Sequence, residues 1–288
     1  MAVRKVEAEL ERLGLLRDAP EQDAAAGLRK ALSDRVNVMV AKAAKIAAER
    51  QMRDLLPDLL RAFDRLFEKP VERDPQCWGK NAIVKALVDL EHRESPPFLR
   101  GIRHIQMEPV WGGQEDTAET LRSTSVLALA TCTDLRRETV LRELVDRMAD
   151  DAVPVRVEAA RAVAQMGGAE AFLLLRLKAR AGDQEPRVLG QVFDSLLQVE
   201  RAEALTFVGS FLESKDEAVR AEAALSIGTS RMARSFELLR SAWERRREEV
   251  VLRAMSASRQ DEAIAFVREV ARDGRPSEAK AAKEALRI

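Results

Sequence analysis

The chain has 288 residues, of which 46% are hydrophobic and 33% are charged, so it can bury a sizeable core and is not a disordered sequence. Its 48 basic and 48 acidic side chains cancel to a formal charge of zero, which disfavours nucleic acid as a partner, although a local basic stripe would still permit it. Tyrosine is absent and aromatic residues make up 4%, while helix-forming residues dominate, so the composition indicates an all-α protein.

The N-terminal residues 1–16 alternate charged side chains with Val and Leu, which predicts a polar helix over 3–13 that caps the fold. This segment lacks the apolar stretch of a signal peptide, and no run in the chain approaches the roughly 18 apolar residues of a membrane span. Cys77 and Cys132 lie far apart, in neither a disulfide nor a metal-ligand spacing. We therefore expect a cytoplasmic protein with two free thiols and no membrane contact.

Residues 20–133 are predicted to form helix pairs of irregular length. Apolar residues recur at i, i+4 spacing in these segments, as along Leu55, Leu59 and Phe63. The predicted pairs are 24–32 with 36–48, 55–67 with 80–90, and 98–105 with 117–130.

Two connections in this part of the chain are unusually long. Residues 68–78 and 106–116 each join the first helix of a pair to its second helix, where about 2–8 residues are usual. Equivalent connections of stacked helix pairs project from the same edge. The two long connections should therefore be neighbours in space.

Residues 134–258 contain a regular repeat. Arg156, Arg187, Arg220 and Arg253 are 31, 33 and 33 residues apart, and small or apolar residues follow them at helical spacing. An acid near a helix start can cap free N–H groups, and small alanines let neighbouring helices approach closely. The two clearest copies consist of Asp151, Arg156, Ala159, Ala160 and Val163, and of Asp216, Arg220, Ala223, Ala224 and Ile227.

This pattern resembles the second helix of HEAT and HEAT-like repeats of the phycobilisome-lyase type. The resemblance implies a solenoid in which the acids and arginines form a ladder between adjacent repeats. It predicts that the arginines pair with Asp151, Asp183 and Asp216. Asp116 and Arg122 would occupy the same ladder positions in an earlier helix pair.

We therefore expect one continuous domain over 1–288, an α-solenoid (superhelix) of about eight antiparallel helix pairs of HEAT type. Its predicted parts are an N-terminal capping helix at 1–16, irregular repeats with long loops at 20–133, regular repeats at 134–258 and a C-terminal capping repeat at 259–288.

The two long connections are the most informative part of the sequence for function. They carry Trp78 and Trp111, and loops mounted on a rigid scaffold are where binding groups concentrate. Either both tryptophans fold back over the hydrophobic core, or they contact a partner. The candidate partner-binding residues are Trp78, Lys80, Lys85, His104, Gln106, Glu108, Trp111, Asp116 and Arg122.

No catalytic, cofactor or metal motif stands out. His104 and Glu108 have i, i+4 spacing beside Glu115 and Asp116, but Pro109 should end the helix there. HEAT-repeat di-iron hydroxylases resemble this architecture but require several His-Glu dipeptides, and the sequence has none. We therefore expect no catalytic residue, no metal and no cofactor.

Two functions remain as hypotheses. The first is a non-enzymatic scaffold that binds a protein partner through its concave helix face and the loop edge near 70–78 and 106–116. The alternative is a nucleic-acid-acting enzyme that resembles the HEAT-like alkyl-purine DNA glycosylases, which use Trp with an Asp in a concave surface. That alternative requires a positive surface around Lys80, Lys85 and Arg122 and an unpaired carboxylate such as that of Asp116.

Overall fold

The computed structural model describes residues 2–287, and helices make up most of this range. The chain divides between Ala159 and Ala160 into two compact units. The expectation of a single continuous domain stays a prediction.

In the first unit, helices lead into and out of one short β-hairpin. The elements of this unit are α1 (Ala2–Gly14), α2 (Glu21–Leu32), α3 (Asn37–Glu49), α4 (Leu56–Leu66), α5 (Pro70–Arg73), α6 (Trp78–Asp89), α7 (Pro96–Ile102), β1 (Met107–Val110), β2 (Gly113–Asp116), α8 (Glu119–Leu129) and α9 (Arg137–Arg147). The boundary between the units falls inside α10 (Val153–Met166).

The second unit continues with helices alone. They are α11 (Gly168–Ala181), α12 (Pro186–Val199), α13 (Arg201–Gly209), α14 (Glu217–Ser230), α15 (Ser235–Arg246), α16 (Glu249–Ser258), α17 (Asp261–Asp273) and α18 (Pro276–Ala285). Within residues 2–287, α2 to α18 group into eight helix pairs, with the four-residue α5 lying in a connection. This agrees with the number expected from the sequence.

The second helices of successive pairs stack on one another within each unit. In the first unit α3 contacts α6 and α6 contacts α8, and in the second α12 contacts α14 and α14 contacts α16. Gly228 explains one close approach, since a Cβ built on it would lie 2.2 Å from the Ala254 carbonyl oxygen of α16. This stacking, in an almost entirely helical chain, is the all-α, HEAT-like arrangement expected from the repeats.

The repeated arginines lie within the first five residues of α10, α12, α14 and α16, and the acids near them have different partners. Asp216 caps α14 by accepting from the N–H groups of Ala218 and Val219, while Arg220 pairs with Glu248. Asp183 pairs with Lys178 at 2.8 Å, and Arg187 is exposed. The Arg220 guanidinium thus reaches the acid that precedes the next second helix, 28 residues later, as a ladder between adjacent repeats requires, and here that acid is Glu248.

The long connection 106–116 folds into the β-hairpin, which the sequence did not predict. Met107 lies opposite Asp116, and Val110 lies opposite Gly113. Gly112 forms the turn at φ +93°, a left-handed conformation that favours glycine. The helix predicted over 98–105 is shorter than expected at its C-terminal end, because α7 ends at Ile102 and residues 103–106 lead into the hairpin.

Candidate protein-binding site

The two long connections contact each other, which confirms that they are neighbours in space. The Gln76 N–H donates to Glu108 Oε1 at 2.6 Å, and Gln106 Nε2 donates to the Asp74 carbonyl oxygen at 2.9 Å. Both bonds join the 68–78 segment to the base of the hairpin. The hairpin is therefore held by polar groups in the interior, although it projects from a helical stack.

Asp74 organises the 68–78 segment. Its fully buried carboxylate accepts from the N–H groups of Gly79 at 2.7 Å and Lys80 at 2.9 Å, in the first turn of α6. It also accepts from Asn37 Nδ2 at 3.0 Å and pairs with Lys80 Nζ at 3.1 Å. Gln76 takes a left-handed φ of 58° to make this turn, which is costly for a residue other than glycine.

Lys80 is not a contact residue. The sequence placed it on an accessible face, but its side chain is completely buried against Asp74 and the Leu66 carbonyl oxygen. An ammonium group in the interior requires such a partner, because burial without one is very unfavourable. The Lys80 ammonium group therefore stabilises the fold through its ion pair with Asp74.

Gln106 and Glu108 are also buried, at 2% and 8% exposure, and their role as partner contacts stays a prediction. Glu108 Oε1 accepts three hydrogen bonds, from the Gln76 N–H, Gln106 Nε2 and the Thr117 hydroxyl, at 2.6 to 2.7 Å. Burial alone would raise the pKa of Glu108, but these hydrogen bonds outweigh burial and lower it. Glu108 thus anchors the hairpin as a carboxylate.

Arg122 holds two acids together. Its Nη1 donates to Asp116 Oδ2 at 2.6 Å, and its Nε and Nη2 both contact the Asp150 carboxylate at 3.1 Å. Burial works against the charged forms, yet the hydrogen bonds lower the pKa of Asp116 and raise that of Arg122. The expected Asp116–Arg122 pairing is confirmed, and neither side chain is free to meet a ligand as an isolated charge.

The two tryptophans of this region face solvent. Trp111 at the hairpin turn is fully exposed and Trp78, the first residue of α6, is 52% exposed, whereas Trp243 of the second unit is completely buried. The alternative in which both fold back over the core is therefore wrong. Of the thirteen exposed large hydrophobic side chains among the described residues, five lie in these two segments, and Ile105 directly precedes the second: Val71, Trp78, Met107, Val110 and Trp111.

A cleft of about 330 Å³ lies between the hairpin and the start of α6 and α8. Four of its lining residues are the acids Glu108, Glu115, Asp116 and Glu119, and none is basic. Trp78 forms part of its wall. The cleft is thus an acidic recess with an aromatic side chain at its edge.

The other two candidates, Lys85 and His104, lie outside this cleft. Lys85 is exposed on a groove of about 820 Å³ over α3 and α6, whose floor includes Ala41, Ala48 and Ala82. His104 follows α7, packs edge-on against Phe67 at 4.8 Å between ring centroids and contacts Gln106 at 3.0 Å. Burial lowers the pKa of His104, and the hydrogen bond with Gln106 only partly opposes this effect.

Several chemical roles find no support in this region. Within residues 2–287, no three His, Cys, Asp or Glu side chains are placed to hold a metal ion, and the expected helical spacing of His104 and Glu108 does not exist because Glu108 lies in β1. Burial raises the pKa of both cysteine thiols to about 11, which disfavours a nucleophilic thiolate. With Lys80 buried and Asp116 bonded to Arg122, the conditions set for a glycosylase are not met.

Sequence reasoning missed the residues that build the base of the site. Asp74, Thr117 and Asp150 bond to candidate residues, and Asn37 bonds to Asp74, yet none of the four belongs to a recognisable motif. The one available signal was Asp150, an acid just before a second helix. The others are single polar residues whose partners lie 32 to 40 residues away or across a turn.

No family model and no curated protein matches the chain. Among solved structures, it is similar to human deoxyhypusine hydroxylase in complex with glycerol, at 16% identity and a TM-score of 0.33, over 98% of this chain and 90% of that chain. A similarity at this level carries no argument about the site. No helix within residues 2–287 is long and apolar enough to cross a membrane.

Acid should weaken the first unit. Folding lowers the pKa of His104 from 6.5, that of Glu108 from 4.5 and that of Asp116 from 3.8. Each group therefore stabilises the folded state at a pH above its ordinary pKa. This stability is lost as the pH falls through the folded-state pKa. We expect the melting temperature to decline below pH 6.5 and more steeply below pH 4.5. Circular dichroism melts at a series of pH values measure this, and the decline below pH 4.5 should be shallower in Glu108→Gln. An equal or higher melting temperature at acidic pH would contradict the assignment.

Proposed function

We propose that the chain is a protein-binding scaffold, and that its main contact surface is the hairpin surface, formed by the exposed side chains of the two long connections. The observation that carries this proposal is the pair of exposed tryptophans, Trp78 and Trp111. Exposed aromatic side chains are enriched among residues that dominate binding energy. Scattered exposed apolar residues are normal, but their concentration in two contacting segments is typical of an interaction site.

The rigid base of the hairpin supports this proposal. The buried groups of Asp74, Gln106 and Glu108 fix the position of β1 relative to α6 through hydrogen bonds of 2.6 to 2.9 Å. A contact surface that is already ordered loses less conformational entropy on binding. The hairpin surface is thus suited to recognise a partner without first folding.

The groove over α3 and α6 is the second part of the proposed contact surface. Its volume of about 820 Å³ lies in the range of ligand and peptide sites. The short side chains of alanines line the floor of the groove and leave it open, and Lys85 remains accessible at its edge. The concave helix face expected from the sequence corresponds to this helix surface in the proposal.

Two finer assignments belong to the same proposal. We assign the repeats to the phycobilisome-lyase type of HEAT-like repeat, on the support of the arginine near the start of each regular second helix. We also place the protein in the cytoplasm, because Cys77 and Cys132 are both free thiols, as is usual in a reducing compartment.

Trp78→Ser and Trp111→Ser should abolish capture of the partner while leaving the fold intact. Truncating a central aromatic contact typically costs about 2 kcal/mol or more of binding energy, which is roughly thirtyfold in affinity. Both side chains are exposed, so the stability change should stay within about 0.5 kcal/mol. Quantitative affinity enrichment from an extract of the source cells, with melting temperatures of the same variants, measures both effects.

Leu173→Ser with Leu177→Ser is the matched control, because these leucines of α11 are 64% and 66% exposed but belong to the second unit. The control should keep the partners of the wild-type protein. Equal enrichment by the wild-type protein and both tryptophan variants would refute the hairpin surface as the contact site.

A further inference from the structure

The acidic cleft behind the hairpin has an unbalanced charge. It is lined by Glu108, Glu115, Asp116 and Glu119 and by no Lys, Arg or His. Glu108 and Asp116 are satisfied by internal hydrogen bonds. Glu115 and Glu119 are exposed and make no ion pair among the residues that the structure describes.

The neutral groups of the cleft also favour a donor. The buried Oδ1 atom of Asn81 has no hydrogen-bond partner within the described part of the chain, so the wall holds an unsatisfied acceptor. Trp78 adds an exposed indole ring at the edge. Carboxylates and an aromatic face together attract an ammonium or guanidinium group through charge-assisted hydrogen bonds and cation–π contact.

The groove over α3 and α6 has the opposite sign. Its lining includes Arg17, Lys42, Lys45 and Lys85 against Glu49 and Asp89. A cationic side chain would therefore be attracted to the cleft and disfavoured at the groove. The opposite charges of the two surfaces thus indicate that a basic group binds in the cleft and not in the groove.

We propose that the cleft binds a lysine or arginine side chain of a short basic segment in the partner protein, whose flanking apolar residues pack on the hairpin surface. This inference rests on the proposed protein-binding function and specifies its partner. The occupant is a peptide segment because the exposed apolar side chains of Met107, Val110 and Trp111 adjoin the acidic residues along the hairpin. An inorganic cation would use none of them.

A random dodecapeptide display library tests the inference. The library is selected on the full wild-type chain and counter-selected on the Trp78→Ser, Trp111→Ser double variant. The enriched peptides should carry Lys or Arg next to apolar residues. A synthetic copy, followed by fluorescence anisotropy, should bind about tenfold more weakly to the Glu115→Gln, Glu119→Gln variant, and its affinity should fall between about 50 and 300 mM salt.

The control for net charge is Glu262→Gln with Glu269→Gln, which removes two exposed carboxylates from α17 in the second unit. It should leave the affinity unchanged. Enriched peptides that are neutral or acidic, or basic peptides that bind the Glu115→Gln, Glu119→Gln variant as tightly as the wild type, overturn the inference but leave the proposed function standing. If no peptide distinguishes the wild type from the tryptophan variant, both fail.

Discussion

Replacing Asp74 by alanine is expected to lower the free energy of unfolding of the first unit by about 3–5 kcal/mol. The substitution leaves the ammonium group of Lys80 completely buried and without a carboxylate, with the Leu66 carbonyl oxygen at 3.4 Å and the Phe67 ring centroid at 5.5 Å. It also removes the acceptor of two N–H groups in the first turn of α6 and of the Asn37 amide. Urea unfolding, with hydrogen exchange over residues 78–89 to read the first unit separately, measures the loss.

Two companion variants separate charge from shape. Lys80→Met should cost less than Asp74→Ala, because the carboxylate keeps three N–H donors when the ammonium group is removed. Asp89→Ala removes an exposed carboxylate from the same helix and should change stability by about 0.5 kcal/mol or less. If Asp74→Ala resembles Asp89→Ala, the buried pair is not the centre of this segment.

Arg122→Ala should destabilise the first unit by a similar amount, about 3–5 kcal/mol. The guanidinium spans Asp116 and Asp150, so its removal leaves two carboxylates close together without their shared partner. Arg122→Lys should recover only part of the loss, because an ammonium group cannot make the two parallel contacts with Asp150. Urea unfolding of both variants gives the comparison.

Arg253→Ala is the matched control for this prediction. Arg253 occupies the corresponding repeat position near the start of α16 but is exposed. Its replacement should change stability by about 0.5 kcal/mol or less. Equal losses in Arg122→Ala and Arg253→Ala would mean that the repeat position, rather than the pair of acids, determines the effect.

The helix pairs were predictable because their signals are local. Apolar residues at i, i+4 spacing and an arginine at intervals of 31 to 33 residues identify the second helices. Each of the four arginines lies within the first five residues of one: Arg156, Arg187, Arg220 and Arg253. The partners of the arginines were not predictable in the same way. An acid before the same helix and an acid before the next one are both within reach, and only the stacking distance decides that Arg220 pairs with Glu248.

The hairpin and the burial of Lys80 depend on interactions that sequence patterns do not show. β1 has four residues, includes Pro109 and lacks an alternating apolar pattern, so nothing local predicts a strand. It is held by Glu108, and one of the three donors to Glu108, the Gln76 N–H, comes from the preceding helix pair. Lys80 is buried only because left-handed conformations at Gln76 and Cys77 turn the chain so that Asp74 meets α6. The exposure of Trp78 and Trp111 follows from this arrangement.

Helical repeats are often treated as interchangeable modules that can be duplicated, deleted or transplanted. Three successive helix pairs, α2/α3, α4/α6 and α7/α8, are joined by hydrogen bonds that occur only once in each. Asn37 bonds to Asp74, and Gln76 bonds to Glu108. Excising or copying one of these pairs would leave a buried donor or acceptor without its counterpart. Residues 21–129 should therefore be inherited and engineered as one block, and changes in repeat number are better tolerated elsewhere in the chain.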